Sequence, residues 1–295
     1  MSYTRLQAVA VSAVAVLLPG GCTIEVGGIL QEDEPTPGGD EGGGGSGPSG
    51  SESVDGKLSS NGLMLVPAAM AALGTGPLSA TSEGVGQLLA RADGAHHLEY
   101  TALCALESGT SLTVGDATYP GLYGLAPGWA DAPCDESCQR WVTACLLAHT
   151  NITGTSVQIS MRGEHPGMSW SPAIETEFDI QEAGFYGNLW ASAEWDGPEL
   201  YACMGRGLID FDEVQSSPAD LDDSYLDERM CSTGAACGFV STGPCYFPEY
   251  ETASTCEGDA GDDGFFSDCH VAINAQDAPL YTEVVTTYLT ADETP

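Results

Sequence analysis

Ten cysteines lie beyond Cys22 in this chain: Cys104, Cys134, Cys138, Cys145, Cys203, Cys231, Cys237, Cys245, Cys256 and Cys269. No other feature restricts the fold so tightly. An even set of cysteines in an oxidising compartment reads as a disulfide framework, here of five bonds, and each pair must be brought within bonding distance by a single fold. Spacing alone leaves the pairing open. Five of the ten fall between Cys231 and Cys269, and five is odd. At least one bond must therefore join that segment to the body of the domain, with Cys203 as the near candidate.

The stretch CDESCQRWVTACLLAHTN, Cys134 to Asn151, carries three of these cysteines and a histidine. It has the 3.6-residue period of a helix, with Pro133 suited to the first turn and Asp135 and Glu136 at the positive end of the dipole. On such a helix Cys134, Cys138, Cys145 and His149 fall within about 60° of one another and share the buried face. One metal ion cannot take them all. Cys138 and Cys145 are about 10.5 Å apart along the axis at the helical rise, whereas zinc ligands lie within roughly 2.0 to 2.3 Å of the ion. The C-x3-C spacing also differs from the C-x2-C of thioredoxin-like pairs. The reading is a buried helix stapled at up to three points, with His149 an interfacial or core residue.

The cysteine arithmetic closes only if Cys22 is set apart, and its surroundings do that. Arg5 precedes the apolar run AVAVSAVAVLL (Ala8 to Leu18), which is too short to span a bilayer and breaks at PGGC. Gly20 and Gly21 before Cys22 resemble the lipobox of bacterial lipoproteins, with Pro19 where that pattern usually carries an aliphatic residue. The resemblance implies a signal peptide over 1–21, acylation of Cys22, and attachment to a lipid bilayer. From Glu32 to Gly56 the chain is acidic and rich in Gly, Ser and Pro, so 22–56 reads as a flexible tether. Residues 57–295 then read as a single disulfide-bonded globular domain, with a cysteine-rich subregion over 231–269.

Forty-three acidic residues against seven basic ones give a net charge of −36. A field of that sign repels phosphate backbones and anionic headgroups, which removes nucleic acid from the list of partners and leaves a protein or glycan. The acidity itself needs no more than a solvated surface in a salty medium.

Periodicity gives helices over Leu63 to Leu73 and Ser82 to Leu106, the second with a break at Gly94, and places His96 and His97 in packing or surface roles. Strands are expected at Ser111 to Gly115, Thr155 to Gly163, Glu175 to Gln181, Phe185 to Ser192, Glu199 to Met204, Gly207 to Val214 and Tyr281 to Thr290. Helices first and strands afterwards give an α+β class: N-terminal helices, a mostly antiparallel sheet, and an irregular cysteine-rich C-terminal part.

Three constellations could carry chemistry. MRGEHPGMSW sets Arg162, Glu164 and His165 in a turn after a core strand, a possible acid/base group for a secreted hydrolase. Glu182 and Asn188 could line a cleft. The loop between Cys256 and Cys269 holds Asp259, Asp262 and Asp263, a loose calcium site; Gly261 and His270 at ligand positions exclude an EF-hand. No nucleophile elbow, zincin helix, phosphate loop or dinucleotide fingerprint occurs. The segments TALCALESG, LYGLAPGW, SCQRWVTACLLAHTN, ISMRGEHP, EAGFYGNLW and YACMGRG resemble a group of uncharacterised lipoproteins and secreted proteins of myxobacterial type. That resemblance implies a bacterial envelope or secreted location, with the outer membrane as the expected site of a lipid anchor, and carries no catalytic residues. The expected role is a surface binding or structural protein without a cofactor.

Overall fold

The central strands of the main sheet are buried on both faces, which removes the simple alternation of inner apolar and outer polar residues. The computed structural model describes residues 57–191, 197–209, 224–230, 239–246, 254–257, 264–271 and 279–292, all within the unit Ser46–Pro295. The segments 1–21 and 22–56 with Cys22, together with Cys231, Cys237, Asp259, Asp262 and Asp263, lie outside the described residues.

The chain enters through a strand, β1 (Leu58–Ser60), followed by α1 (Pro67–Met70), α2 (Glu83–Leu89) and α3 (Gly94–Ala105). A hairpin of β2 (Ser111–Val114) and β3 (Ala117–Pro120) precedes α4 (Glu136–His149), β4 (Gln158–Arg162), α5 (Pro172–Glu177), β5 (Ile180–Asn188) and β6 (Glu199–Met204). Then come α6 (Ser224–Met230), β7 (Phe239–Pro244), β8 (Cys256–Glu257), β9 (Ser267–His270), β10 (Leu280–Tyr281) and β11 (Val285–Leu289). The class is mixed α+β with a mostly antiparallel main sheet, ordered β1-β4-β11-β5-β6-β7, in which β6 and β7 run parallel. The simple order of helices first and strands afterwards gives way to interleaving, since β1 and the β2-β3 hairpin stand among the early helices. The cysteine-rich part is also less irregular than expected, because β10, β9 and β8 form a small antiparallel sheet.

Which residues meet defines three layers. Ile159 and Met161 of β4, Ala183 and Phe185 of β5, Leu200, Ala202 and Met204 of β6, and Val285 and Leu289 of β11 pack into one core with the helices. The opposite face of β5 and β6 sends Tyr186 and Cys203 into a second core with Cys245, Cys256, Phe266 and Cys269. A third cluster, Leu58, Ile174, Phe178 and Tyr288, brings α5 onto the sheet. Residues Glu175 to Gln181, expected as a strand, instead finish α5 and begin β5; Ser171 caps that helix by accepting from the Ile174 N–H (3.4 Å), with Pro172 at its first position.

Helix α4 starts later than the cysteine stripe implied. Asp135 is its cap, accepting from Cys138 N at 2.9 Å, so Cys134 precedes the helix. Cys134 bonds to Cys138 and closes the first turn on itself, leaving Cys104–Cys145 to staple α4 to α3. Two further bonds, Cys203–Cys245 and Cys256–Cys269, lie in the second core. Cys203 does join the cysteine-rich segment to the body.

One polar feature runs through the first core. Tyr288 pairs with Gln181 and Thr287 with Ala183, so Glu182 is the extra residue of a β-bulge, an irregularity that re-aims a side chain. Its carboxylate, fully buried, accepts from Arg229 Nη1 on α6, from Tyr225 Oη (3.0 Å) and from Thr287 Oγ1 (2.7 Å). Arg229, 2% exposed, also donates to Ala148 O near the end of α4.

Two outcomes are expected. Peptide mapping of the unreduced protein should return Cys104–Cys145, Cys134–Cys138, Cys203–Cys245 and Cys256–Cys269, with no labelled thiol among the ten cysteines. Glu182→Ala leaves a buried guanidinium without its partner and should cost about 3 to 5 kcal/mol in denaturant unfolding, whereas the exposed Glu164→Ala should stay within about 0.5 kcal/mol.

Candidate functional site

The acid/base turn of the sequence does not assemble. Arg162 points inward from β4, donating to Phe178 O at 2.7 Å and lying 3.6 Å from the centroid of the Tyr288 ring, a cation–π contact strengthened by burial. Glu164 is exposed. His165 accepts from Gly167 N at 3.0 Å, capping the short turn Pro166–Met168, and packs edge-on against Trp141 at 5.1 Å. Partial burial, aided by Lys57, holds its pKa below the ordinary value. The three groups thus serve three different contacts. Glu182 and Asn188 also line no common cleft: Glu182 is sealed in the core, and Asn188 donates to Gln139 Oε1 (3.2 Å) while accepting from Trp190 N (2.8 Å).

A polar chain that the sequence did not announce lies beside the α3–α4 disulfide. His149, expected in the core, is fully buried. Its Nδ1 is 2.8 Å from Cys145 O, which can only accept, so Nδ1 carries the proton and Nε2 is left to accept from Ser59 Oγ at 2.8 Å. Ser59 in turn accepts from Tyr123 Oη at 2.8 Å. Burial, with Arg229 nearby, lowers the His149 pKa to about 4 and keeps the ring neutral. A serine held by a neutral histidine is the start of a nucleophile arrangement, yet Ser59, His149 and Tyr123 are all buried. The set acts as a lock between β1, the segment before α4 and α4 itself. Cys104, Cys145 and His149 also come within metal-ligand distance of one another, but the two sulfurs are bonded to each other and offer no thiolate.

On the helical side a groove of about 410 Å³ opens, lined by the apolar Leu78, Leu106, Leu112, Pro127 and Ala130 and by the polar Ser79, Glu107, Thr110 and Ser111. Its walls come from four segments. The α3 exit turns at Glu107, where Thr110 donates through both N–H (3.0 Å) and Oγ1 (2.6 Å) to Glu107 O, and Gly109 takes φ 82°. The opposite wall is clamped at its base, with Leu78 N donating to Trp129 O (2.7 Å) and Trp129 Nε1 to Gly76 O (2.9 Å). Trp129 meets Trp190 edge-on at 5.4 Å, and Trp190 Nε1 donates to Met70 O. The result is an apolar lining of buried leucines with Ser79, Thr110, Ser111 and the exposed Glu107 beside it, the Glu107 side chain lying next to Gly124 and within electrostatic reach of Lys57.

Comparison with protein-family models, with curated proteins and with solved structures finds no match to this chain. Among the described residues no helix is long and apolar enough to cross a membrane.

The neutral His149 has a measurable consequence. Its folded pKa lies below the unfolded value, so the unfolded chain gains a proton as pH falls from about 6.5 toward 4 while the folded chain does not. The stability it contributes is complete above about pH 6.5 and is lost progressively toward pH 4, by about 3 kcal/mol. Denaturant unfolding of the wild type and His149→Gln across this window should give curves that converge as the pH falls. Parallel curves would show that the imidazole is not held neutral.

Proposed function

We propose that this chain is an exported binding protein of the bacterial cell envelope, lipid-anchored through Cys22 or secreted, whose disulfide-stapled head presents the groove beside Glu107 to a partner molecule. One observation carries the reading. The groove combines the largely buried apolar side chains of Leu78, Leu106 and Leu112 with Ser79, Glu107, Thr110 and Ser111, which are more exposed. Concave apolar surface with a few polar groups that fix orientation is the general form of a ligand site. The most deeply buried charged and nucleophilic groups, Glu182, Arg229, Arg162, Ser59 and His149, are engaged in packing. An exposed carboxylate beside the groove of a strongly acidic protein favours a partner that inserts an apolar group and carries a positive charge or hydrogen-bond donors.

The test uses an amphipathic fluorescent probe with a cationic head and a matched probe with an anionic head. The cationic probe should bind at least tenfold more tightly, and Glu107→Lys should reverse that preference, while Leu112→Asp should weaken both. Equal binding of the two probes, or binding unchanged in both variants, would remove the groove as the site. Labelling of cells with an alkyne fatty acid should mark the wild type and spare Cys22→Ala; equal labelling of both would overturn the anchor.

A further inference from the structure

Two disulfides touch in the second core. Cys203 Sγ lies 3.5 Å from Cys256 Sγ, although each is bonded elsewhere, Cys203 to Cys245 and Cys256 to Cys269. The sulfurs of Cys203, Cys245 and Cys256 all fall within 4.8 Å of one another. Nothing separates them. The β5 residue beneath is Gly184, where even a Cβ would come to 2.9 Å from Cys203 Sγ and 3.2 Å from Cys245 Sγ. The present bonds hold each sheet to itself: Cys203–Cys245 spans β6 and the end of β7, and Cys256–Cys269 spans β8 and β9.

We infer that these four cysteines form one thiol–disulfide exchange unit, able to pass from the within-sheet pairing to a Cys203–Cys256 bond that ties the main sheet directly to the small one. Cys269 is buried, so a low-molecular-weight monothiol starts the exchange when the short β8–β9 pair opens locally. Its thiolate attacks Cys269 Sγ, forming a mixed disulfide there and releasing Cys256 as thiolate. Cys256 then attacks Cys203 Sγ across the 3.5 Å contact, the Cys203–Cys245 bond breaks, and Cys245 leaves as thiolate. Cys245 finally attacks Cys269 in the mixed disulfide and returns the monothiol. Two disulfides enter and two leave, with no net oxidation or reduction, and each step exchanges one thiolate for another. Neither terminal cysteine is lost from the cluster, so the isomerisation is reversible.

The direct test is Cys269→Ser in the full chain, which frees Cys256 beside the intact Cys203–Cys245 bond and needs no external thiol. Differential alkylation and peptide mapping of the folded variant should find Cys203–Cys256 accompanying or replacing Cys203–Cys245, with the thiol shared between Cys256 and Cys245. The interconversion should quicken about tenfold per pH unit below the thiol pKa, because the thiolate is the attacking species. Cys138→Ser, which frees Cys134 outside the cluster, should leave the other pairings untouched. A folded Cys269→Ser chain holding only Cys203–Cys245, with Cys256 fully alkylated, overturns the inference. Should that variant not fold, the unsubstituted chain in native buffer with a catalytic monothiol decides the matter: Cys203–Cys256 after acid quench supports it, and the original pairs alone reject it.

Discussion

Arg229 reaches from a short helix into the centre of the domain and satisfies three elements at once. Its guanidinium meets the Glu182 carboxylate on β5 and the Ala148 carbonyl on α4, while its own carbonyl accepts from Ile152 N at 2.9 Å. The Ala148 carbonyl belongs to the negative end of the α4 dipole, where a cation is stabilising. A charge taken so far from water is tolerable only because an opposite charge is brought to it, and the bulge at Glu182 does that bringing. The same guanidinium helps keep His149 neutral, so the ion pair and the Ser59–His149–Tyr123 chain are electrostatically linked. Replacing both ends of the pair with apolar residues of similar volume could preserve stability. Removing either one alone cannot.

Elements set by local pattern were legible in the sequence. Glu199–Met204 was expected as a strand within the same bounds, the helix pair broken at Gly94 has its second member starting at that residue, and the last strand run contributes β11 to the main sheet. Two further local signals stand in the sequence: the Gly115-Asp116 pair between β2 and β3, with Gly115 at φ 61°, is a two-residue hairpin turn, and Ser171-Pro172 is a helix start. The rest depended on contacts no window contains. Strand β4 alternates as expected on its Ile159 and Met161 face, yet Ser160 and Arg162 are buried too, because α5, Phe178 and the Tyr288 side chain cover the second face. The buried polar chain joins residues 64 and 90 positions apart, and the groove is assembled from four separate segments. The cysteine count was legible and its pairing was not, since Cys134 chose a neighbour on its own turn.

The two kinds of cross-link divide the labour between the layers. On the helical side a large apolar core carries the packing, and one disulfide between α3 and α4 adds to it. On the opposite side the small sheet has short strands and little apolar surface, so sulfur itself supplies part of the core: Cys203, Cys245, Cys256 and Cys269 are all buried there beside Tyr186 and Phe266. Stability in such a layer comes less from area removed from water than from restricting the unfolded chain. The groove lies on the helical side, where its lining is backed by the larger core and held by Trp129 and Trp190.

Burying arginine has an outward effect as well. Of the basic residues from Lys57 onward, Arg162 and Arg229 are enclosed and Lys57 and Arg140 are partly covered, so Arg91 and Arg206 are the exposed ones. The exterior is therefore more nearly a pure polyanion than the composition implies. Such a surface gathers a sheath of small cations whose depth is set by ionic strength, on the order of 10 Å at 0.1 M salt. Two copies, or one copy and an anionic bilayer, would meet first through those sheaths and be pushed apart by their osmotic pressure. A partner bearing positive charge would instead release the ions as it docks, and would gain entropy in doing so.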